Sequence, residues 1–288
     1  MAGRFDVCVV GSANLDLVAT VARLPRPGET ILGDAYAEHP GGKGLNQAVA
    51  SARSGAATAF VGALGSDVAA DQLRAVLAGE HIDAECTITV DGPTGRALIV
   101  VDAAGENSIV VIPGANASVS PSPDQPSAKV VLAQLEIPIA AVQAILAAAR
   151  ADGSLVILNP APAAPLPAEL IALCNVIVPN QHELEQLGGV RHLLDAGCEI
   201  VVTTLGGAGI DVHTTRGVTH VPAFEVSVID TTGAGDAFCG ALAARLSAGD
   251  DVLDAARWAT AAGALATTVA GAVPAQPTAA AIRRLLRR

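Results

Sequence analysis

The chain has 288 residues, of which 51% are hydrophobic and 16% are charged, and its formal net charge is −11. This composition excludes an intrinsically disordered chain, and the acidic balance with few aromatic side chains argues against nucleic-acid binding. No apolar run approaches the ~18 residues of a membrane span, so no membrane association is expected. The five cysteines lack C-x-x-C spacing, which is typical of free thiols and indicates a cytoplasmic protein.

Short apolar runs alternate with Ala-rich stretches along most of the chain. Strands are predicted at 5–11, 57–62, 129–134, 154–158, 175–178 and 199–204, and helices at 43–54, 67–78, 138–149, 233–247 and 251–268. Continuous apolar strands separated by crossover helices are typical of a buried parallel sheet. The pattern predicts an α/β protein, a three-layer α/β/α sandwich whose ligands bind beyond the carboxyl ends of the strands.

Two segments break this alternation. Residues 13–40 are polar and rich in turn formers, and residues 94–112 predict two strands around a turn at 104–107. The segments could pair as a small sheet beside the main one. Such a sheet could act as a lid over a ligand or could be an ordinary edge hairpin, and the spacing does not decide between the two.

The strongest local motif is DTTGAGDAFCGA, in which small residues separate the end of a strand from an apolar helix. Gly233, Ala234 and Gly235 let the backbone approach a ligand closely, and the amides at a helix start bind anions. Asp236 follows at once. It could serve only as a helix cap, but capping does not explain the small residues before it. A carboxylate base beside an anion site is what phosphoryl transfer to an alcohol requires.

The segment HPGGKGLNQAVA places paired glycines, a lysine and an asparagine before a helix, without the spacing of a P-loop. Lys43 and Asn46 could hydrogen-bond sugar hydroxyls, or Lys43 could be a solvated side chain beside a Gly-rich turn. In the earlier motif GSANLD, alternation places Asn14 and Asp16 on one side of an extended chain. That arrangement suits a diol, although an Asx turn gives the same pattern.

Two motifs later in the chain suit a nucleotide. In VPNQHE, Asn180 and Glu183 could organise hydrated Mg²⁺ and phosphate oxygens, or they could form a capping box at a helix start. In TLGGAG, residues 204–209 form a Gly-rich turn after a strand, which could lie under a nucleotide.

In this order, the motifs resemble the ribokinase-like (PfkB-type) family of sugar kinases over nearly the whole chain. The resemblance is carried by GSANLD, PGET, GGKGLNQAVA, TGRALI, QLE, NPAPA, VPNQHE, TLGGAG and DTTGAGDAFCGA. It implies one ribokinase-like catalytic domain over 1–288, a small β-sheet lid formed by about 13–40 and 94–112, and a homodimer joined through that lid. It also implies an ATP-dependent kinase that phosphorylates the 5-hydroxyl of D-ribose, giving ribose 5-phosphate and ADP.

The resemblance also assigns roles by position. Asp236 is implied to be the catalytic base, with Gly233, Ala234 and Gly235 as the anion hole for the γ-phosphoryl group. The implied substrate-binding set is Asn14, Asp16, Gly41, Gly42, Lys43, Asn46 and Glu136. The implied nucleotide-binding set is Asn180, Thr204, Leu205, Gly206, Gly207, Gly209, Gly235 and Thr260. Glu183 is implied to act indirectly on Mg²⁺. A monovalent cation, K⁺, is implied at Asp230, Thr232, Ala266, Val269, Gly271 and Ala275.

Three residues depart from the family pattern. Ala275 stands where a serine is typical, Leu45 replaces a small residue within the GGKG motif, and Thr260 stands where a histidine often touches adenine. Two alternative functions stay open. The first is a kinase for another small sugar or a nucleoside, such as 2-deoxyribose, fructose or adenosine. The second is a non-catalytic sugar-binding regulator, against which the intact GAGD segment argues.

Overall fold

The structure is a computed structural model that describes residues 5–122 and 124–287. The strands are β1 (Phe5–Val10), β2 (Asn14–Val21), β3 (Ala35–Gly41), β4 (Thr58–Val61), β5 (Ala63–Leu64), β6 (Ile88–Thr89), β7 (Gly95–Asp102), β8 (Asn107–Ile112), β9 (Ala128–Ala133), β10 (Leu155–Leu158), β11 (Val176–Ile177), β12 (Ile200–Thr204), β13 (Ile210–Thr214) and β14 (Gly217–Val221). The α-helices are α1 (Lys43–Arg53), α2 (Val68–Gly79), α3 (Ile139–Ala151), α4 (Ala168–Leu173), α5 (Gln181–Gln186), α6 (Gly189–Asp195), α7 (Ala234–Ser247), α8 (Val252–Ala266), α9 (Ala272–Ala275) and α10 (Ala279–Leu286).

The main sheet has eight strands in the order β14-β13-β12-β11-β10-β9-β1-β4. The pairs from β4 to β12 are all parallel, whereas β13 and β14 form an antiparallel hairpin at one edge. The predicted mainly parallel sheet is therefore confirmed. Parallel pairing places the carboxyl ends of β1, β9, β10, β11 and β12 at the same edge of the sheet.

Helices cover both faces of this sheet. Along β1, Val7 and Val9 point into one apolar core, together with residues of α1, α2, α7 and α8. Cys8 and Val10 point into a second core on the opposite face, together with residues of α3, α4 and α6. Burial of both faces explains why β1 and β9 are continuously apolar rather than alternating. The three-layer arrangement predicted from the sequence is confirmed.

A second sheet of four strands, in the order β3-β2-β7-β8, stands beside the main one. Its strands come from the two segments, 13–40 and 94–112, that interrupt the α/β pattern in the sequence. Strand β2 begins at Asn14, soon after the end of β1, and β3 ends at Gly41, directly before α1. These two connections between the sheets therefore pass through motifs that carry candidate site residues.

The predicted elements agree with the structure to within two residues at each end, but several further elements were not predicted. These are the hairpin of β13 and β14, the two-residue strands β5 and β6, and the short helices α4, α6 and α9. Within the described part of the chain, no helix has both the length and the apolar character needed to cross a membrane.

Candidate active site

The loops that follow the central strands bring most of the candidate residues to one edge of the main sheet. Residues 11–14 follow β1, residues 134–136 follow β9, Asn159 follows β10, Asn180 follows β11, and residues 205–209 follow β12. The amino terminus of α7 faces the same edge, because Asp236 is hydrogen-bonded to side chains at the start of α1. Five loops and two helix starts thus surround one site.

Asp236 is buried in the first turn of α7, and side-chain amides hold both of its carboxylate oxygens. Asn46 Nδ2 donates to Oδ2 at 2.9 Å, and Gln47 Nε2 donates to Oδ1 at 2.9 Å. The side chain does not cap its own helix: the cap position is Gly233, and no side-chain cap is formed there. The capping interpretation of Asp236 therefore fails.

The loop before Asp236 turns the chain into α7 through Gly233, whose φ of 74° lies in the left-handed region that favours glycine. The amide of Ala234 is used internally, since it donates to Thr231 O at 3.3 Å. The amides of Gly233 and Gly235 form no hydrogen bond with any other part of the described chain. A Cβ on Gly235 would meet open space. Two unpaired amides beside open space at a helix start suit an anion.

Asn14 lies at the start of the second sheet, and Asn116 fixes its side chain. Asn116 Nδ2 donates to Asn14 Oδ1 at 2.7 Å, while Asn116 Oδ1 accepts from the amide of Ala13 at 3.0 Å. Gly95 makes room for this pair, because a Cβ there would overlap both asparagine side chains. With Oδ1 held by Asn116, the side-chain nitrogen Nδ2 of Asn14 remains as the group that can contact a ligand.

Asp16 lies two residues further along β2, close to the charges of Glu136 and Asp236. Burial, together with the negative charges of Glu136 and Asp236, raises the pKa of Asp16 to about 7. A carboxylate with so high a pKa stores unfavourable electrostatic energy that a ligand hydroxyl can relieve by donating to it. This is the behaviour expected of a binding group rather than of a structural ion pair.

Glu136 and Lys43 join the loop after β9 to the start of α1. Glu136 Oε2 accepts from the backbone amide of Lys43 at 3.0 Å and from Ser12 Oγ at 2.5 Å. Gly42, at the cap position of α1, has no side chain that could satisfy the helix amides. Glu136, from a distant part of the chain, accepts one of these amides in place of a capping side chain. Glu136 therefore has a structural role in addition to its predicted contact with the substrate.

The side chain of Lys43 balances part of the negative charge of the site. The charge of Asp236 raises the pKa of Lys43, against the opposing effect of desolvation, and Glu136 and Glu183 raise it further. Burial raises the pKa of Glu183, although the hydrogen bond from the amide of Asn180 opposes that shift. Lys43 is thus a charged side chain inside the site, and the solvated-lysine interpretation fails.

Two adjoining cavities meet at the loop before Asp236. The smaller, about 250 Å³, is lined by Lys43, Asn159, Ala161, Val178, Asn180, Glu183, Thr204, Thr231, Gly233, Gly235, Asp236 and Cys239. The larger, about 800 Å³, shares Thr204, Thr231 and Gly235 with it. Asp236 therefore lies in the smaller cavity, within reach of a group that enters from the larger one.

The larger cavity contains most of the predicted nucleotide set. Its lining includes Thr204, Gly206, Gly207, Gly209, Gly235 and Thr260, together with apolar side chains such as Phe224 and Val226. Leu205 is not part of that lining, and its amide donates to Gly209 O instead. A Cβ on Gly206 or Gly207 would meet open space, so this turn leaves its surface free for a ligand.

Asn180 and Glu183 form a helix cap and also lie at the site, so both interpretations of the VPNQHE motif agree with the structure. They form a capping box at the start of α5, with Asn180 Oδ1 accepting from the Glu183 amide and Glu183 Oε2 accepting from the Asn180 amide, each at 2.8 Å. Both residues also line the smaller cavity beside Asp236. The capping box therefore fixes their orientation at the site.

The two loops predicted to hold a cation are tied together by Asp230. Its carboxylate accepts from the amide of Gly271 at 2.8 Å and from the amide of Thr232 at 2.9 Å. These bonds lower its pKa, in spite of the opposing effect of burial. Ala275 contributes no oxygen from its side chain, which packs with Ala237 and Ala266.

Several residues of the site were not predicted. Gln47, Asn159, Ser12 and Gln134 hydrogen-bond to predicted residues or to one another, and Asn116 orients Asn14. Gln47 and Asn159 stand within the motifs GGKGLNQAVA and NPAPA, so the signal that could have found them is a polar side chain inside a Gly- or Pro-rich segment next to a strand end.

The sequence profile of the pfkB family of carbohydrate kinases matches residues 4–279 of the chain. The chain belongs to this family. The ribokinase of Staphylococcus aureus is 40% identical over 268 residues, covering 86% of this chain and 88% of the relative. The deoxyribokinase of Salmonella typhimurium is 34% identical over 258 residues, covering 83% and 84%.

A solved structure, the ribokinase of Arabidopsis thaliana complexed with ribose and ATP, has a TM-score of 0.89 to this chain. It is 31% identical, and the match covers 99% of this chain and 100% of that one. The pfkB family and the similarity in fold extend over both sheets, so the arrangement of loops around Asp236 belongs to a carbohydrate kinase.

Proposed function

We propose that this protein is an ATP-dependent sugar kinase that transfers the γ-phosphoryl group to the 5-hydroxyl of D-ribose, giving ribose 5-phosphate and ADP. The observation that carries the proposal is the position of Asp236. Its carboxylate lies in the smaller cavity, at the junction with a cavity large enough for a nucleotide, and beside two unpaired amides at the start of α7. The relatives named ribokinase support ribose as the acceptor.

The acceptor sugar binds between the two sheets in this proposal. Asp16 accepts hydrogen bonds from neighbouring hydroxyls, Asn14 donates through its free amide nitrogen, and Asn46 contributes its Oδ1. That oxygen is buried and has no hydrogen-bond partner in the described chain. An unpaired buried acceptor is unfavourable unless a ligand hydroxyl donates to it. The second sheet acts as a lid over the sugar, because β2 carries both Asn14 and Asp16.

Asp236 takes the proton of the 5-hydroxyl as the oxygen forms its bond to the γ-phosphorus. The bond between that phosphorus and the β–γ bridging oxygen breaks, and ADP leaves with the electron pair. Lys43 and the amides of Gly233 and Gly235 stabilise the charge on the transferring group. Because Asn46 and Gln47 hold the carboxylate before substrate binds, little reorganisation is needed at the moment of transfer.

Mg²⁺ fits the site as an ion carried by the nucleotide. No group of three or more His, Cys, Asp or Glu side chains in the described ranges could hold a metal ion, whereas Glu183 and Asn180 lie beside the cavity where phosphates would bind. Mg²⁺ commonly keeps several waters and binds substrate phosphates with one or two carboxylates. It would supply charge neutralisation on the phosphate oxygens, with Glu183 holding its waters.

A monovalent cation fits the loops joined by Asp230, with one ligand fewer than the family pattern provides. Thr232 and the carbonyls of Ala266, Val269 and Gly271 are oxygen donors of the kind that K⁺ prefers, but Ala275 offers only a methyl group. The cation would add positive charge behind the amides of the anion hole. We therefore expect weaker binding of K⁺ than a serine at position 275 would give.

The protein is also proposed to be a cytoplasmic homodimer that pairs through the second sheet. Strand β8 is an edge strand, and its apolar residues Ile109, Val110, Val111 and Ile112 are all exposed. Exposed apolar edge strands favour pairing with another chain. All five cysteines are free, as in a reducing compartment.

The test is ADP formation from Mg-ATP with D-ribose, 2-deoxyribose, fructose or adenosine, followed by mass spectrometry of the product. We expect turnover to be highest with ribose and to give a singly phosphorylated sugar. Turnover confined to 2-deoxyribose would instead support a deoxyribokinase. If folded protein turned over none of the acceptors, the kinase proposal would fail in favour of a sugar-binding regulator.

A further inference from the structure

We propose that Gln47 is a positioning residue that fixes the direction of the Asp236 carboxylate. Its amide holds one carboxylate oxygen while Asn46 holds the other, so the base cannot rotate away from the acceptor hydroxyl. The inference rests on the proposed function and deepens it. It concerns a residue outside the predicted substrate and nucleotide sets.

Gln47 reaches Asp236 because α1 and α7 approach each other closely at Gly240. A Cβ on Gly240 would overlap the carbonyl oxygen of Gln47 and would lie 2.6 Å from the Cβ of Ala50. Gly240 is one helical turn beyond Asp236, on the same face of α7. The contact that brings the two backbones together therefore also brings the side chain of Gln47 to the carboxylate.

Only one orientation of the Gln47 amide satisfies its neighbours. Asn159 donates its Nδ2 to Val178 O at 2.9 Å, so its Oδ1 is the acceptor for Gln47 Nε2 at 3.0 Å. The same Nε2 donates to Asp236 at 2.9 Å, while Gln47 Oε1 accepts from Gln134 Nε2 at 2.5 Å. Both amide protons are thus used, and turning the amide over would break three hydrogen bonds.

This arrangement matters for the reaction because the carboxylate of an aspartate otherwise turns about its Cβ–Cγ bond. Asn46 faces the proposed sugar site, where its unpartnered Oδ1 is proposed to accept from a sugar hydroxyl, so its side chain serves both the sugar and the base. Gln47 is fully buried and has no free hydrogen-bonding group, so it remains in place when the sugar binds. A displacement of about 1 Å at a reacting group costs about 10²-fold in rate.

The experiment compares Gln47→Glu and Gln47→Leu with the unmodified protein and with Ser51→Ala. Ser51 is fully buried on the same helix and hydrogen-bonds with Thr58 rather than with the site. It is therefore a matched control for effects on helix packing. Each protein is assayed for kcat and sugar KM from pH 5.5 to 9, with the best acceptor of the panel.

For Gln47→Glu we expect kcat to fall about 10²-fold and the sugar KM to stay within about threefold of its original value. The acid limb of the kcat profile should move to higher pH by about one unit, because two facing carboxylates share a proton. Ser51→Ala should change neither. An unchanged kcat, or a fall in kcat with an unmoved acid limb, would overturn the positioning role and leave Gln47 a structural residue.

A crystal structure of Gln47→Leu gives a readout that does not depend on turnover. We expect the Asp236 carboxylate to be rotated or to occupy two conformers while α1 and α7 keep their positions. A carboxylate in its original orientation would contradict the inference. If the unmodified protein phosphorylated none of the acceptors, only the proposed function would be contradicted.

Discussion

The carboxylate of Asp16 lies directly over the Cα of Gly41, so closely that a Cβ at position 41 would overlap it. The two residues belong to neighbouring strands of the second sheet, and Gly41 leads into α1 through Gly42. Gly41 is therefore required for space rather than for an unusual backbone conformation. Any side chain at this position displaces the group proposed to bind the sugar.

Gly41→Ala is expected to raise the sugar KM at least about tenfold, because the added methyl group pushes the Asp16 carboxylate out of position. The nucleotide KM should change little, since the larger cavity, which is proposed to bind the nucleotide, is lined by other loops. Steady-state kinetics with each substrate varied in turn would measure both effects. Gly79→Ala, at the end of α2 where a Cβ meets open space, is the control and should leave both KM values unchanged.

The raised pKa of Asp16, about 7, predicts that sugar binding depends on pH. If the ionised carboxylate accepts the sugar hydroxyls, kcat/KM for the sugar should fall up to tenfold per pH unit below about pH 7. Asp16→Asn should lower kcat/KM at all pH values and remove this limb of the profile. An unmodified enzyme whose kcat/KM is flat from pH 8 to pH 5.5 would show that Asp16 does not bind the sugar.

The same shift predicts how stability varies with pH. The folded protein holds the Asp16 proton more tightly than the unfolded chain, whose aspartates titrate near pH 3.9. The contribution of Asp16 to the free energy of unfolding is therefore greatest below about pH 4, and it is lost as pH rises to about 7. Asp16→Asn should raise the free energy of unfolding at pH 8 by at most about 4 kcal/mol, and by much less at pH 4.5. Urea unfolding at the two pH values would measure the difference, and an equal gain at both would contradict the assignment.

Asp236→Asn should lower kcat by about 10²- to 10⁴-fold, the usual contribution of a general base. The asparagine has nearly the same shape, so the sugar KM should change far less than kcat. Calorimetry of sugar binding, together with steady-state kinetics, would separate the two quantities. A variant with near-normal kcat would remove Asp236 from the role of base.

Ala275→Ser should strengthen binding of the monovalent cation, because it restores an oxygen beside the loops joined by Asp230. We expect the K⁺ concentration for half-maximal activity to fall at least about threefold. The rise in Tm on replacing choline chloride with KCl should also be larger in the variant. If K⁺, Na⁺ and choline gave the same activity and Tm in both proteins, the cation site would be absent.

A charge on β8 should prevent dimer formation. We expect the unmodified protein to sediment as a dimer and Val111→Lys as a monomer, since a lysine on an edge strand blocks pairing. Val218→Lys, on the exposed edge strand β14 of the main sheet, is the matched control and should stay dimeric. A Val111→Lys protein that stayed dimeric would place the interface elsewhere.

Much of the fold could be predicted because the parallel strands are buried on both faces and are therefore continuously apolar. The hairpin of β13 and β14 lies at the sheet edge and instead alternates, with Ile210 and Val212 buried and Asp211 and His213 half-exposed. Its signal was a period of two rather than an apolar run. The short helices α4 and α6 lack the length at which a helical period becomes clear.

At the site, Asp236 and the glycines before it could be predicted because they are adjacent in sequence. The partners of Asp236 could not be predicted in the same way, since Asn46 and Gln47 lie 190 and 189 residues earlier in the chain. Their contact depends on the close approach of α1 and α7. The distance between the two helices cannot be predicted from a single sequence. The sequence shows only that Gly240, where the helices meet, is small enough to permit their close approach.

The proposed acceptor residues all precede position 137, and the proposed nucleotide residues all follow position 179. The two groups meet at the loop that leads into Asp236. The preference for the phosphoryl donor and the preference for the sugar acceptor are thus encoded in separate parts of the chain, and both parts contribute strands to the main sheet. A hybrid gene that joins the first part of this chain to the second part of a relative should yield an enzyme with the sugar preference of one parent and the nucleotide preference of the other.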